Sequence, residues 1–202
     1  MLLSLRERII KMQNKHIKEF LNYYIGLPNP QYAVLLKGKW GSGKTHFINE
    51  YKKELDKNKQ KYIYVSLYGV TSYDEIETKF LEAIYPRLYN KKTIFAGKIA
   101  KQLLKATLKI DWDGNQQENA EIEVKIPDLK PEDLLNTKDY ILIFDDLERC
   151  SINIINLLGY INFFVEHQSY KVILIANEEE LEKTDKYTQI KEKLVGKTYE
   201  FI

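Results

Sequence analysis

Gly38-Lys39-Trp40-Gly41-Ser42-Gly43-Lys44-Thr45 decides how this chain folds. The stretch matches G-x-x-x-x-G-K-[ST] at every fixed position. Before it comes Tyr32-Ala33-Val34-Leu35-Leu36, a short apolar run of the buried-strand type. After it, Phe47, Ile48, Tyr51 and Leu55 recur at helical spacing from Thr45 to Lys57. Strand, glycine loop and helix in that order make a phosphate-binding loop. Its glycines let the backbone curl so that successive N–H groups face an anion. The helix start adds the positive end of its dipole. Gly38, Trp40, Gly41, Ser42, Gly43, Lys44, Thr45 and the adjoining His46 are therefore the expected nucleotide-binding residues. Lys44 is expected at the β- and γ-phosphates, where it also serves catalysis, and the Thr45 hydroxyl on Mg2+. His46 falls on the helix surface beside Thr45.

Working outward, Tyr140-Ile141-Leu142-Ile143-Phe144 is a second apolar strand, and it ends in Asp145-Asp146. An acid at the end of a buried strand sits at the carboxyl edge of the sheet, beside the phosphate loop. Asp145 is expected to bind Mg2+ directly or through water. Asp146, one residue on, points the other way along the pleat and is assigned to orienting the attacking water. Glu148, on the following turn, is the rival for that role. Ile173-Leu174-Ile175-Ala176-Asn177 ends a further strand in an amide. That strand is expected between the other two, with Asn177 reaching the γ-phosphate or the water. Asn177 can equally cap the helix that begins at Glu178.

Tyr62 to Leu67 reads as another strand, Thr198 to Ile202 as a last one, and Ile155 to Val165 as a helix. Ser72 or Asp74 can cap a helix running through Phe80, Leu81, Ile84 and Leu88. Apolar strands alternating with helices predict an α/β domain with a mainly parallel, five-stranded sheet covered on both faces, a three-layer arrangement. An N-terminal helix spans 3–24 and stops at Gly26-Leu27-Pro28. Residues 91–130 form an insertion between the two motifs. It starts with a basic amphipathic helix (91–109), and Leu108 to Trp112 can pair with the alternating Glu121 to Ile126 as a β-hairpin.

Composition narrows the function classes. The chain has 202 residues, 31 Lys plus Arg and 29 Asp plus Glu, so a histone-like or ribosomal composition is excluded. Charge is uneven, +8 over residues 1–61 and −6 over 62–202. The basic helix suits a protein partner or an anionic lipid surface, or simply a solvated face. Four Arg in the whole chain argue against base-specific nucleic-acid readout and against an Arg-rich kinase lid. Among them, Arg149 is expected to pair with Glu148 or a neighbour, with phosphate sensing as the alternative, and Arg6, Arg8 and Arg87 are not separable as a finger. A single Cys, Cys150, excludes an internal disulfide. No apolar run approaches a membrane span and the N-terminus lacks a signal-peptide core, so cytoplasm is the default expectation. Tyrosines near Ile25 and Tyr32 are read as core packing, with an adenine pocket as the other use.

Lys39-Trp40-Gly41-Ser42-Gly43-Lys44-Thr45 together with Asp145-Asp146-Leu147-Glu148-Arg149-Cys150 resembles the KAP family of P-loop NTPases. Members have a W-G-S-G-K-[ST] loop and a D-D-L-D-R-C-like second motif; Glu148 here replaces the more usual Asp. The resemblance implies a sheet of order 5-1-4-3-2, ATP and Mg2+ as cofactors, hydrolysis that drives or times a conformational or oligomeric switch, and a bacterial defence or regulatory setting. Self-association or a protein partner goes with that reading; a tight, slowly hydrolysing nucleotide switch is its alternative. Many members carry transmembrane segments between the motifs, where this chain has the basic insertion, so membrane insertion is not carried over. In related proteins a helical lid follows the fifth strand. None follows Ile202 here, and a nucleotide-binding core cut from a longer chain is the expectation.

Overall fold

The computed structural model describes residues 14–86, 104, 107, 108 and 137–201. They divide into two units, Met1–Val70 with Tyr140–Ile202, and Thr71–Asp139. The first unit carries the sheet: β1 (Ala33–Lys37), β2 (Tyr62–Ser66), β3 (Ile141–Asp145), β4 (Lys171–Ala176) and β5 (Val195–Glu200). Every neighbouring pair runs parallel, in the order β2-β3-β4-β1-β5. Read from the other edge, this is the expected 5-1-4-3-2. β4 lies between β1 and β3, as expected. The consequence is local: the carboxyl ends of β1, β3 and β4, followed by Gly38, Asp145-Asp146 and Asn177, share one edge of the sheet.

Burial follows strand position. β3 is buried along its whole length and β1 and β4 nearly so, because both faces are covered. On one face, Val34, Leu36, Ile141, Ile143, Ile173 and Ile175 pack with α1 (Lys15–Gly26) and α2 (Lys44–Lys57). Ile17, Leu21 and Tyr24 of α1 and Ile48, Tyr51 and Leu55 of α2 supply the helical side. Tyr24 also pins strand starts: its hydroxyl donates to the Tyr32 carbonyl (2.7 Å) and accepts from the Val172 amide (2.9 Å). Tyr24 and Tyr32 are thus packing residues, with rings 5.4 Å apart. The other face meets α4 (Ile154–Glu166), where Phe144 and Phe164 rings lie 6.5 Å apart. Asn153 caps α4 through the amides of Ile155 and Asn156. α6 (Tyr187–Leu194) packs beside α4.

β5 begins three residues earlier than its sequence predicts. Gly196 is the extra residue of a bulge: Ala33 pairs with Val195, and Val34 already with Lys197. The tight approach needs glycine, since a Cβ there would lie 2.5 Å from Cγ of Tyr32. Of the N-terminal helix, residues 3–13 lie outside the described residues.

In the second unit, α3 (Tyr73–Ile84) is capped by Ser72, whose hydroxyl accepts from the Glu75 amide at 3.3 Å. The Glu75 carboxylate reaches back to the Thr71 amide (2.9 Å) and hydroxyl (2.7 Å), a variant of the capping box. Leu104, Thr107 and Leu108 of the expected basic helix are helical and buried. The rest of 91–130, including the expected hairpin, lies outside the described residues.

Candidate functional site

The loop between β1 and α2 adopts the backbone that its glycines permit. Gly41 and Gly43 sit at φ +81° and +96°, where a side chain is strained. Gly38 is tight for a second reason, because a Cβ would lie 2.8 Å from Ser42 Oγ and 3.0 Å from Phe201 Cβ. Gly43 precedes α2 without any side-chain cap, so the first amides of the helix are left to the loop. The Lys44 ammonium folds across the loop and donates to the carbonyls of Gly38 (2.5 Å) and Lys39 (2.9 Å). Burial depresses its pKa, while Glu148 first, then Asp145 and Asp146, act to raise it. Thr45 and His46 are exposed at the start of α2. Ser42 Oγ is buried with no hydrogen-bond partner.

Asp145 is the last residue of β3 and only 2% exposed. Two donors hold its carboxylate: the Tyr64 hydroxyl on Oδ2 and the Asp146 amide on Oδ1, both at 2.8 Å. Burial raises its pKa, against the hydrogen bond from Tyr64. Tyr64 in turn is pushed well above the usual tyrosine range by burial and by Asp145, so it stays a donor. The pleat ends at Asp145. Asp146 does not continue it; it turns into the left-handed region (φ 60°, ψ 40°) and starts the 3-10 turn Leu147–Arg149. Its carboxylate accepts from the Ser66 hydroxyl at 2.9 Å and faces Arg149 Nε at 3.9 Å. Arg149 therefore pairs with Asp146 rather than with Glu148.

Glu148 meets the phosphate loop instead. Trp40 Nε1 donates to its Oε1 at 2.8 Å, and its Oε2 is buried without a hydrogen-bond partner. The Arg149 guanidinium lies 5.3 Å from the Trp40 ring and 5.2 Å from the Tyr68 ring. Trp40 is 57% exposed, so this aromatic and arginine cluster fronts solvent. Cys150 Sγ sits 3.5 Å from the Val70 carbonyl, consistent with a packed thiol.

Asn177 follows β4, is 5% exposed, and makes no side-chain cap bond to α5 (Glu178–Leu181). Its Oδ1 is a buried acceptor with no partner. The next residue, Glu178, anchors a charge cluster that sequence reasoning missed. Its carboxylate pairs with Lys37 at 3.1 Å and Lys191 at 2.5 Å, and accepts from the Tyr187 hydroxyl at 3.2 Å. Burial alone would raise the Glu178 pKa, but Lys191 and Lys37 hold it below the usual value. A cavity of about 310 Å3 opens here, lined among others by Gly38, Ser42, Asn177, Glu178 and Phe201.

The expected site residues thus fall at one edge of one unit. Loop glycines of positive φ, an uncapped helix start and the unpartnered Ser42 hydroxyl fit a polyanionic ligand, while the unpartnered Asn177 Oδ1, an acceptor, suits a donor such as water. Thr45 and Asp145 are oxygen donors of the kind Mg2+ takes. Among the described residues, no helix is long and apolar enough to cross a membrane.

Comparison with known proteins agrees with this geometry. No curated protein matches the chain in sequence. The structure of Cdc6p from Pyrobaculum aerophilum is similar, with a TM-score of 0.56 at 16% identity. That match covers 99% of this chain and 46% of Cdc6p, so the chain spans less than half of that protein's length. The structure of DnaI aligns with a TM-score of 0.45 at 15% identity, over 93% of this chain and 80% of DnaI. The likeness to Cdc6p is one of fold. The model of the KAP family P-loop domain matches residues 14–200. With its nucleotide-binding loop at the carboxyl edge of a 5-1-4-3-2 sheet, the chain belongs to the KAP family of P-loop NTPases.

Proposed function

We propose that this chain is the core of a Mg2+-dependent ATPase whose turnover drives or times a conformational or oligomeric switch. One observation carries the reading: the phosphate loop, buried Asp145 and buried Asn177 converge at the ends of three adjacent strands. In this reading Lys44 and the loop from Gly38 to Thr45 hold the phosphates. Trp40 within that loop and His46 just after it complete the nucleotide-binding set. Thr45 and Asp145 hold Mg2+, which screens phosphate charge when bound. Asp146 positions the attacking water, with Glu148 as the alternative, and Asn177 reaches the γ-phosphate through its amide N–H or the water through its unpartnered Oδ1. A protein partner or a second copy receives the change. Bacterial defence or regulation belongs to this proposal through the family alone, and a cytoplasmic location is carried over from the sequence reading.

The test is a pair of variants. Lys44→Ala should abolish ATP binding by calorimetry. Asp146→Asn should retain binding and stop phosphate release. Full turnover by Asp146→Asn would move the water-positioning role to Glu148. A second reading, slow hydrolysis by a nucleotide-binding switch, is favoured by one feature. The Asp146 carboxylate is already engaged by Ser66 and Arg149. Native mass that changes on adding ATP, without multiple-turnover phosphate release, would select it.

A further inference from the structure

β2 carries Tyr62, Tyr64 and Ser66 on one face, a run of hydroxyls at the two-residue period. The parallel register sets Tyr64 beside Ile143 and Ser66 beside Asp145. Tyr64 and Ser66 each donate to a different acid of the motif: Tyr64 to Asp145 and Ser66 to Asp146. The geometry points to Tyr64 as a positioning residue for the metal-binding carboxylate, one that sets how well Asp145 receives Mg2+. This rests on the proposal that Asp145 serves that ion.

The argument is one of lone pairs. An ionised carboxylate offers about four acceptor sites. The Asp146 amide takes one on Oδ1 and the Tyr64 hydroxyl one on Oδ2. Both oxygens are thereby fixed, so the carboxylate plane cannot rotate, and each retains an acceptor position. A neutral donor suits this task better than a cation would, because the carboxylate keeps its full negative charge for the metal. Lys52 of α2 lies 3.8 Å from the centre of the Tyr64 ring, with its ammonium on the ring face. A cation on the ring draws electron density from the phenol and makes its hydroxyl a stronger donor. Donors that orient a metal-binding group in this way typically change metal affinity by about 10–100-fold.

The experiment measures binding of a fluorescent ATP analogue against Mg2+ concentration, and separately in EDTA, for wild type, Tyr64→Phe and Ser66→Ala. Tyr64→Phe keeps the ring and removes only the donor. Expected is a rise of about 10–100-fold in the Mg2+ concentration for half-saturation, with metal-free affinity within twofold of wild type. Ser66→Ala, whose partner is Asp146, should leave the Mg2+ midpoint in place. An unchanged midpoint in Tyr64→Phe overturns the inference. So does an equal loss with and without Mg2+, which would assign the hydroxyl to the general shape of the site. A Tyr64→Phe chain that no longer folds assigns it to stability and overturns it too. Wild-type protein whose nucleotide affinity ignores Mg2+ would bring down the Asp145 reading itself, and this inference with it.

Discussion

Glu178→Gln offers a test of what holds the loop end of β1 against the C-terminal elements. The Glu178 side chain is 2% exposed and bridges Lys37, the last residue of β1, and Lys191 of α6. The glutamine is nearly isosteric, so packing is preserved and only the charge goes. Removing one partner of a buried pair costs about 3–5 kcal/mol. Here the two lysine side chains remain 32% and 21% exposed and can turn toward water. The loss should therefore be smaller, about 2–3 kcal/mol. For a chain of this length that is about 4–12 °C in Tm. Urea unfolding of both proteins at pH 7 measures it directly. The pH dependence has a definite sign. Lys191 and Lys37 outweigh burial and hold the Glu178 pKa down, so its contribution is present above the ordinary glutamate value of 4.5. It is lost as pH falls through the lower folded value. The Lys37 pKa is raised, first by its bond to Glu178, so that part is present below 10.5 and is lost as pH rises through the higher folded value. The gap between wild type and Glu178→Gln should therefore be widest near neutrality and shrink toward acid. A gap under about 0.5 kcal/mol at pH 7, the size of an ordinary surface change, would refute the reasoning. So would a gap that widens on acidification.

Two further outcomes follow from local geometry. Gly196→Ala places a Cβ 2.5 Å from the Tyr32 ring and should destabilise the fold by about 1–3 kcal/mol, seen as an earlier urea midpoint; wild-type stability would mean the bulge can relax at no cost. Trp40 should report on the loop. Its indole is bonded to Glu148, so nucleotide entry should change its fluorescence, and Trp40→Phe, with Trp112 intact, should abolish that change.

How much of this was legible in the sequence differs by range of interaction. The phosphate loop was readable because its requirements are local: glycine where φ is positive, and an apolar strand and helix on either side. Strand order followed from the family resemblance and the buried character of β1, β3 and β4. The pairing of Tyr64 with Asp145 was not readable, because it depends on the register between β2 and β3 across a long insertion. Only the alternation Tyr62, Tyr64, Ser66 hinted at it. Glu178 looked like one of three glutamates at a helix start; its burial comes from α6, whose docking no local pattern encodes. Asp146 was placed on the pleat by continuing the strand one residue too far, since nothing in its identity announces a left-handed turn. The last strand was expected only from Thr198, because the bulge at Gly196 that brings Val195 into it depends on the close approach of Tyr32.

The position of β1 in the sheet has a kinetic corollary. Its two neighbours, β4 and β5, are made after the other strands of this sheet, and about 140 residues separate Ala33 from its partner Val172. At ordinary elongation speeds of 5–20 residues per second, roughly 7–30 s pass on the ribosome before β1 can be flanked. Through that interval Ala33 to Leu36, a fully apolar segment with both edges open, is on offer to any other strand or to a chaperone. The nascent chain should thus be most aggregation-prone before β4 emerges, and ribosome-bound lengths ending before residue 171 should bind holdases that the finished domain ignores.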